Sequence, residues 1–194
     1  MTLLKTIVGY LILTLVVACA SNNELDKTQS SSSTAPISDY RKGLKAYNNA
    51  NYKDAFIHYR KAAERGVADA QNNLGELYQG HPGVPQDLQQ ALKWYRLAAE
   101  QGNIKAMTHL SLMFEMGRGV PQDINESIKW LRLAAYTDDS AQFRLGSIYH
   151  WGLGVPKDID EAVKWYKLAA AQGHGNARSA VWCISTPNSG CYLK

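Results

Sequence analysis

The sequence predicts an all-α protein built as a solenoid of antiparallel helix pairs, with an apolar leader and a flexible segment before it. Three observations carry this. Tryptophans Trp94, Trp130 and Trp165 recur 36 and 35 residues apart, whole segments align around them, and each segment carries two stretches of helical periodicity. The segments are LGELYQGHPGVPQDLQQALKWYRLAAEQGNIKA, LSLMFEMGRGVPQDINESIKWLRLAAYTDDSA and LGSIYHWGLGVPKDIDEAVKWYKLAAAQGHGNA. A shorter first unit, YRKGLKAYNNANYKDAFIHYRKAAERGVADA, shares their second half but lacks four residues in its middle loop.

Taken in order, residues 1–18 hold one charge, Lys5, and an apolar run from Ile7 to Val17, which is signal-peptide anatomy and too short for a comfortable bilayer span. The run ends in Leu15-Val16-Val17-Ala18-Cys19, which resembles a bacterial lipobox, with Val16 where leucine is commonest. The resemblance implies cleavage before Cys19 and acylation of that residue, and two or more acyl chains anchor stably. Ser21 stands where an aspartate signals inner-membrane retention in many Gram-negative lipoproteins, so the resemblance favours the outer membrane, facing the periplasm. Residues 19–36, serine- and asparagine-rich, read as a tether with a root-mean-square span of roughly 21–25 Å, which would let the folded part hover near the membrane.

The repeats divide as 37–70, 71–106, 107–141 and 142–177. Within a unit, Leu74, Tyr78, Ala91, Trp94, Tyr95, Ala98 and Ala99 fall at helical steps, marking two amphipathic helices. Alanines at the Ala91 and Ala98 columns let helices approach, and the tryptophan and tyrosine columns fill the space between hairpins. Between the helices runs Gly-x-Gly-Val-Pro-x-Asp, complete at Gly117–Asp123 and Gly152–Asp158. Asp87, Asp123 and Asp158 are expected N-caps, with Gln90, Glu126 and Glu161 completing capping boxes. In the second unit His81 occupies the first glycine column, so its turn should differ. Residues 178–194 read as a C-terminal cap, which a terminal repeat needs, and Cys183 and Cys191 are expected to form a disulfide across the 186–190 turn, contributing roughly 2–3 kcal/mol.

These units resemble Sel-one-like repeats, relatives of the tetratricopeptide repeat, over roughly residues 39–177, and the shorter first unit, 37–70, resembles the tetratricopeptide repeat itself. The resemblance implies a right-handed superhelix with a concave face and a role as an interaction scaffold. First-helix positions beside the buried column of Leu74, Leu110 and Leu145 then become the expected partner-binding set: Asn72, Glu76 and Gln79; Thr108, Leu112 and Glu115; Phe143, Ser147, His150 and Trp151. Phe143 and Trp151 are expected to be exposed aromatic anchors.

The chemistry of other classes is missing. A net charge of +4, or +3 without Lys5, is too mild for a nucleic-acid binder. The five histidines have no metal-ligand spacing, so no metal or cofactor is expected. Some cysteine-rich relatives have been described as penicillin-binding or β-lactamase proteins, but no serine here has lysine three positions on, so the chain is read as a non-enzyme. The expected function is an envelope lipoprotein, taken as monomeric, that binds a protein or peptide partner. Its alternatives are an immunity protein against a secreted effector such as a lipase, or a cell-wall binder.

Overall fold

The computed structural model describes residues 35–186, and among these it is all-helical. Helix α1 covers residues 35–48; α2 (Tyr52–Ala63), α3 (Ala68–Tyr78), α4 (Leu88–Glu100), α5 (Ile104–Met116), α6 (Ile124–Ala134), α7 (Asp139–Trp151), α8 (Ile159–Ala171) and α9 (Gly175–Ser185) follow. From α2 to α9 each helix packs on its chain neighbours, and α1 packs on α2 through Tyr40 and Gly43 against Tyr59, giving four hairpins, α1–α2, α3–α4, α5–α6 and α7–α8, with α9 standing as the first helix of a further unit. The leader, residues 19–34 of the tether with Cys19, and Cys191 lie outside the described residues; Ala35 and Pro36, expected to end the tether, already belong to α1. Cys183 lies on α9 and is disulfide-bonded.

The long loop of each later repeat does two jobs. Gly117 and Gly152 end α5 and α7 in the left-handed conformation, with φ of 65° and 66°. The aspartates then start α4, α6 and α8, each accepting from the amide of Gln90, Glu126 or Glu161 at 2.9–3.0 Å. The expected capping boxes are only half made. The amides of Asp87, Asp123 and Asp158 donate instead to the carbonyls of Tyr78, Phe114 and Tyr149, all at 2.9 Å, which closes the loop onto the end of the preceding helix. The Glu126 and Glu161 carboxylates are thereby freed to pair with Lys129 and Lys164. In the second unit the turn does differ: Gln79 caps α3 in the right-handed conformation, the positive φ of 112° falls one residue later at Gly80, and His81 and Val84 pair as an isolated antiparallel bridge.

The alanine columns are fully buried, Ala55, Ala91 and Ala162 on one row and Ala62, Ala98, Ala134 and Ala169 on the next. The aromatic columns are unequal. Tyr59, Tyr95 and Tyr166 are buried to 2% exposure or less, whereas Trp94, Trp130 and Trp165 are half-buried and pack back onto the core of the preceding hairpin. The tyrosines fit because a glycine faces each ring: a Cβ at Gly75 would lie 2.8 Å from Tyr95 Cε1, and one at Gly146 would lie 2.5 Å from Tyr166 Cδ1. Gly43 faces Tyr59 in the same way. In the third unit both members change, Ser111 standing in the glycine column and Leu131 in the tyrosine column, and both are fully buried.

Repeats join through polar seams as well as apolar ones. Buried Gln71 and Gln142 donate to the carbonyls of Ala63 and Ala135 in the preceding unit, and accept from Gln101 and Gln172 at the far end of their own units. A buried amide is retained because every such contact is made. His109 stacks on Tyr95 with centroids 4.7 Å apart. Burial, the largest influence, and Lys105 hold its imidazole below the ordinary histidine range against the opposing pull of Glu76. Because the folded pKa is depressed, the unfolded chain takes up the proton first, so stability falls as pH drops through about 6.5 and levels off below the folded value. Urea midpoints at pH 7.5 and 5.5 are expected to differ more in the wild type than in His109→Gln; an equal drop in both would show that this ring does not contribute.

Candidate binding groove

First helices lie side by side along one face. Tyr47 on α1 donates to Glu76 on α3 at 2.8 Å, the Asn103 cap of α5 reaches Asp69 on α3 at 2.8 Å, and Arg144 on α7 pairs with Glu115 on α5 at 2.6 Å. Where α5, α7 and the start of α9 meet, a groove of about 390 Å³ opens, lined by Thr108 and Glu115 from α5, Ser140, Ala141, Phe143, Arg144, Ser147 and Ile148 from α7, Leu153 from the following loop, and His174. A second depression of about 450 Å³, formed with Met116, Gln122, Ile124 and Gly154, shares Glu115 and Leu153 with it. The two make one trough running toward the loop edge, where Met116 and Leu153 are exposed.

Local sequence explains each wall. Phe143 lies one turn into α7, whose Asp138 cap accepts from Ala141 N. Its ring stacks on His174 at 4.6 Å and 19° and tilts against Tyr166 at 5.4 Å. His174 in turn caps α9 through Nδ1, which accepts from Ala177 N at 3.3 Å. The Ser147 hydroxyl donates to the Phe143 carbonyl and accepts from Tyr166 Oη at 3.3 Å. Glu115 and Arg144 neutralise each other at the centre while both stay partly exposed, leaving a mainly apolar floor with hydroxyls and one charge pair. Such a surface combines an apolar floor with a few polar groups that can orient whatever lies on it. Among the described residues no cluster of His, Cys, Asp and Glu is arranged to hold a metal ion.

Of the residues expected from sequence, Thr108, Glu115, Phe143 and Ser147 meet in this groove. The others do not line it. Asn72 is a correction: it is buried at 3% exposure, because its helix turns that position into the repeat interior. Glu76 and Gln79 are held by Tyr47 and Tyr95, the latter contact at 2.6 Å. Leu112 is half-buried on α5. Phe143 is also corrected, from a free anchor to a half-buried floor residue, since the second helix of its own unit and the start of α9 cover it. His150 is buried, with the edge of Trp151 against its ring at 4.5 Å, and Trp151 itself is half exposed outside the groove. Sequence reasoning missed Ser140, Arg144, Leu153 and His174. Arg144 pairs with an acid 29 residues earlier, a spacing that means something only once the stagger between neighbouring first helices is known.

The Sel1 repeat family matches residues 40–67, 68–103, 104–137 and 139–174. A solved Sel1 repeat protein from Oxalobacter formigenes is 33% identical with a TM-score of 0.72, over 82% of this chain and 67% of its own. A protective antigen with an SLR fold, present in uropathogenic Escherichia coli strains, is 35% identical with a TM-score of 0.70, over 81% of this chain but only 36% of its own. A putative Sel1 repeat protein from Klebsiella pneumoniae shares the fold at 21% identity and a TM-score of 0.55, over 86% of this chain and 82% of its own. No curated protein matches. With four matched repeats, unbroken pairing of consecutive helices and these structural relatives, the chain belongs to the Sel1 repeat family, whose solenoids act as protein-interaction scaffolds.

Proposed function

We propose that this chain is an envelope lipoprotein, acylated on Cys19 at the outer membrane and facing the periplasm, that binds an extended segment of a protein partner in the groove between α5, α7 and α9. The observation that carries the binding site is the convergence of Thr108, Glu115, Phe143 and Ser147 with exposed Leu153 in one trough. The leader pattern ending at Cys19 supports the anchor. The proposal includes a Cys183–Cys191 disulfide stapling the end of α9, in keeping with the bonded state of Cys183 and an oxidising compartment. The described residues contain no helix long and apolar enough to cross a membrane, so attachment would rest on the lipid.

The test uses the full-length chain with its own leader, crosslinked in intact cells, against Ser140→Arg plus Leu153→Asp, both exposed and outside the core clusters. The expected result is a discrete partner recovered with the wild type and reduced at least tenfold with the variant, at unchanged helicity. Equal recovery with both would reject the groove. Detergent-phase partitioning of Cys19→Ser tests the anchor separately: the wild type enters the detergent phase and the variant does not.

A further inference from the structure

The outward side of the second helices carries a pattern that the groove does not use. In α4, α6 and α8 the positions i, i+3 and i+4 repeat the same chemistry. Lys93, Lys129 and Lys164 form one column, Arg96, Arg132 and Lys167 the next, and Leu97, Leu133 and Leu168 the third, with every one of these residues exposed. Residues three and four apart share a helix face, so stacking three such helices lays the columns down as parallel rows of cations and leucines. The lysine column is partly balanced, because Glu126 and Glu161 sit 2.7 and 3.0 Å from Lys129 and Lys164. The second column is not: among the described residues no carboxylate pairs with Arg96, Arg132 or Lys167. Arg96 lies over the Phe114 ring and Arg132 donates to Tyr149 Oη.

The apolar part is more exposed in the third and fourth units than in the second. Leu97 is 36% exposed, Leu133 57% and Leu168 51%, and Tyr136, in the turn just past α6, is 90% exposed. Where the second unit ends this face with Glu100, the third has Tyr136 and the fourth Ala171, so acid gives way to aromatic and apolar residues. Rows of leucine flanked by long cationic side chains, with an exposed tyrosine, match an anionic bilayer surface: the leucines enter the headgroup boundary while lysine and arginine stems lie along it and their charges meet phosphates.

We propose that this second-helix face, centred on Arg132, Leu133, Tyr136, Lys167 and Leu168, docks peripherally on an anionic lipid surface, turning the first-helix groove away from the membrane. The choice of a membrane over an acidic protein rests on the proposed acylation of Cys19. From Cys19 to the first described residue, Ala35, the chain reaches at most about 53–58 Å, so an anchored chain keeps this face within range of the headgroups. The expectation that the folded part hovers free on its tether is then replaced by an oriented, docked state.

The test uses the lipid-free chain from residue 19 onward carrying Cys19→Ser, which keeps all four core clusters intact because they lie within residues 40–184. Sedimentation with vesicles of phosphatidylglycerol and phosphatidylcholine in equal parts is compared with pure phosphatidylcholine at low and high salt. Binding is expected to the anionic vesicles only, weakened by salt. It should fall at least tenfold in Arg132→Glu plus Lys167→Glu, at about fivefold per cation lost, and severalfold in Leu133→Ser plus Leu168→Ser. Circular dichroism confirms that the variants fold. No binding to anionic vesicles, equal binding to neutral ones, or charge-reversal variants that bind like the wild type would each overturn docking. Because no acyl chain is present, such a failure leaves the anchor and groove readings to their own tests.

Discussion

Replacing Tyr95 with alanine is expected to cost about 3–5 kcal/mol of unfolding free energy, measured as the shift in urea midpoint at constant slope. The ring is completely buried at the meeting point of three helices. It lies against Gly75 of α3, it carries the stacked imidazole of His109 from α5, and its hydroxyl accepts from Gln79 at 2.6 Å. Alanine would leave a cavity between hairpins that the glycine opposite cannot fill. Trp94 makes a useful contrast. It is larger, but half-buried at the seam, so Trp94→Ala is expected to cost less than Tyr95→Ala. The reverse order would mean that the seam between hairpins, rather than the ring in the glycine notch, carries the larger share of stability.

The second expected result concerns coupling. A serine at Gly146 puts its Cβ 2.5 Å from the Tyr166 ring, so Gly146→Ser alone should destabilise by about 1–3 kcal/mol through overpacking. The third repeat already holds the alternative solution, Ser111 with Leu131, both fully buried. Gly146→Ser combined with Tyr166→Leu should therefore lose less than the sum of the two single changes. A double-mutant cycle is expected to show a favourable coupling of about 1 kcal/mol or more. Strict additivity would show that the glycine and the ring do not act as a unit.

The repeat register, the helix pairs and the aspartate caps were legible in the sequence because each leaves a mark at fixed spacing: tryptophans about 36 apart, apolar residues at helical steps, Pro-x-Asp before each second helix. The glycine–tyrosine notch leaves a mark as well, since glycine and tyrosine change together to Ser111 and Leu131 in the third unit, but reading one column at a time does not pair them. Other features lay beyond periodicity. Glu126 and Glu161 have the spacing of a capping box, but tertiary closure gave the cap amides to carbonyls of the preceding helix and turned the carboxylates toward lysines. The groove was half legible. Column alignment says which residues lie on first helices, and that found Thr108, Glu115, Phe143 and Ser147. It does not say how neighbouring first helices are staggered, which decides that Arg144 meets Glu115, that Asn72 turns inward and that Phe143 is roofed by His174.

The double duty of His174 has a thermodynamic consequence. One imidazole starts the last described helix, through Nδ1, and also walls the groove, through its face on Phe143. In a solenoid each unit leans only on its neighbours, so the ends are the first to fray. Here the candidate groove takes one wall from the start of α9, so it opens when that helix lifts away from its neighbour. Whatever fills the groove will favour the docked state of α9, and whatever staples α9 will raise affinity by the same factor, since linkage runs equally in both directions. Anchoring of the terminal helix and recognition would then be two readings of a single equilibrium, which gives the redox state of Cys183 a route to affinity without touching the ligand.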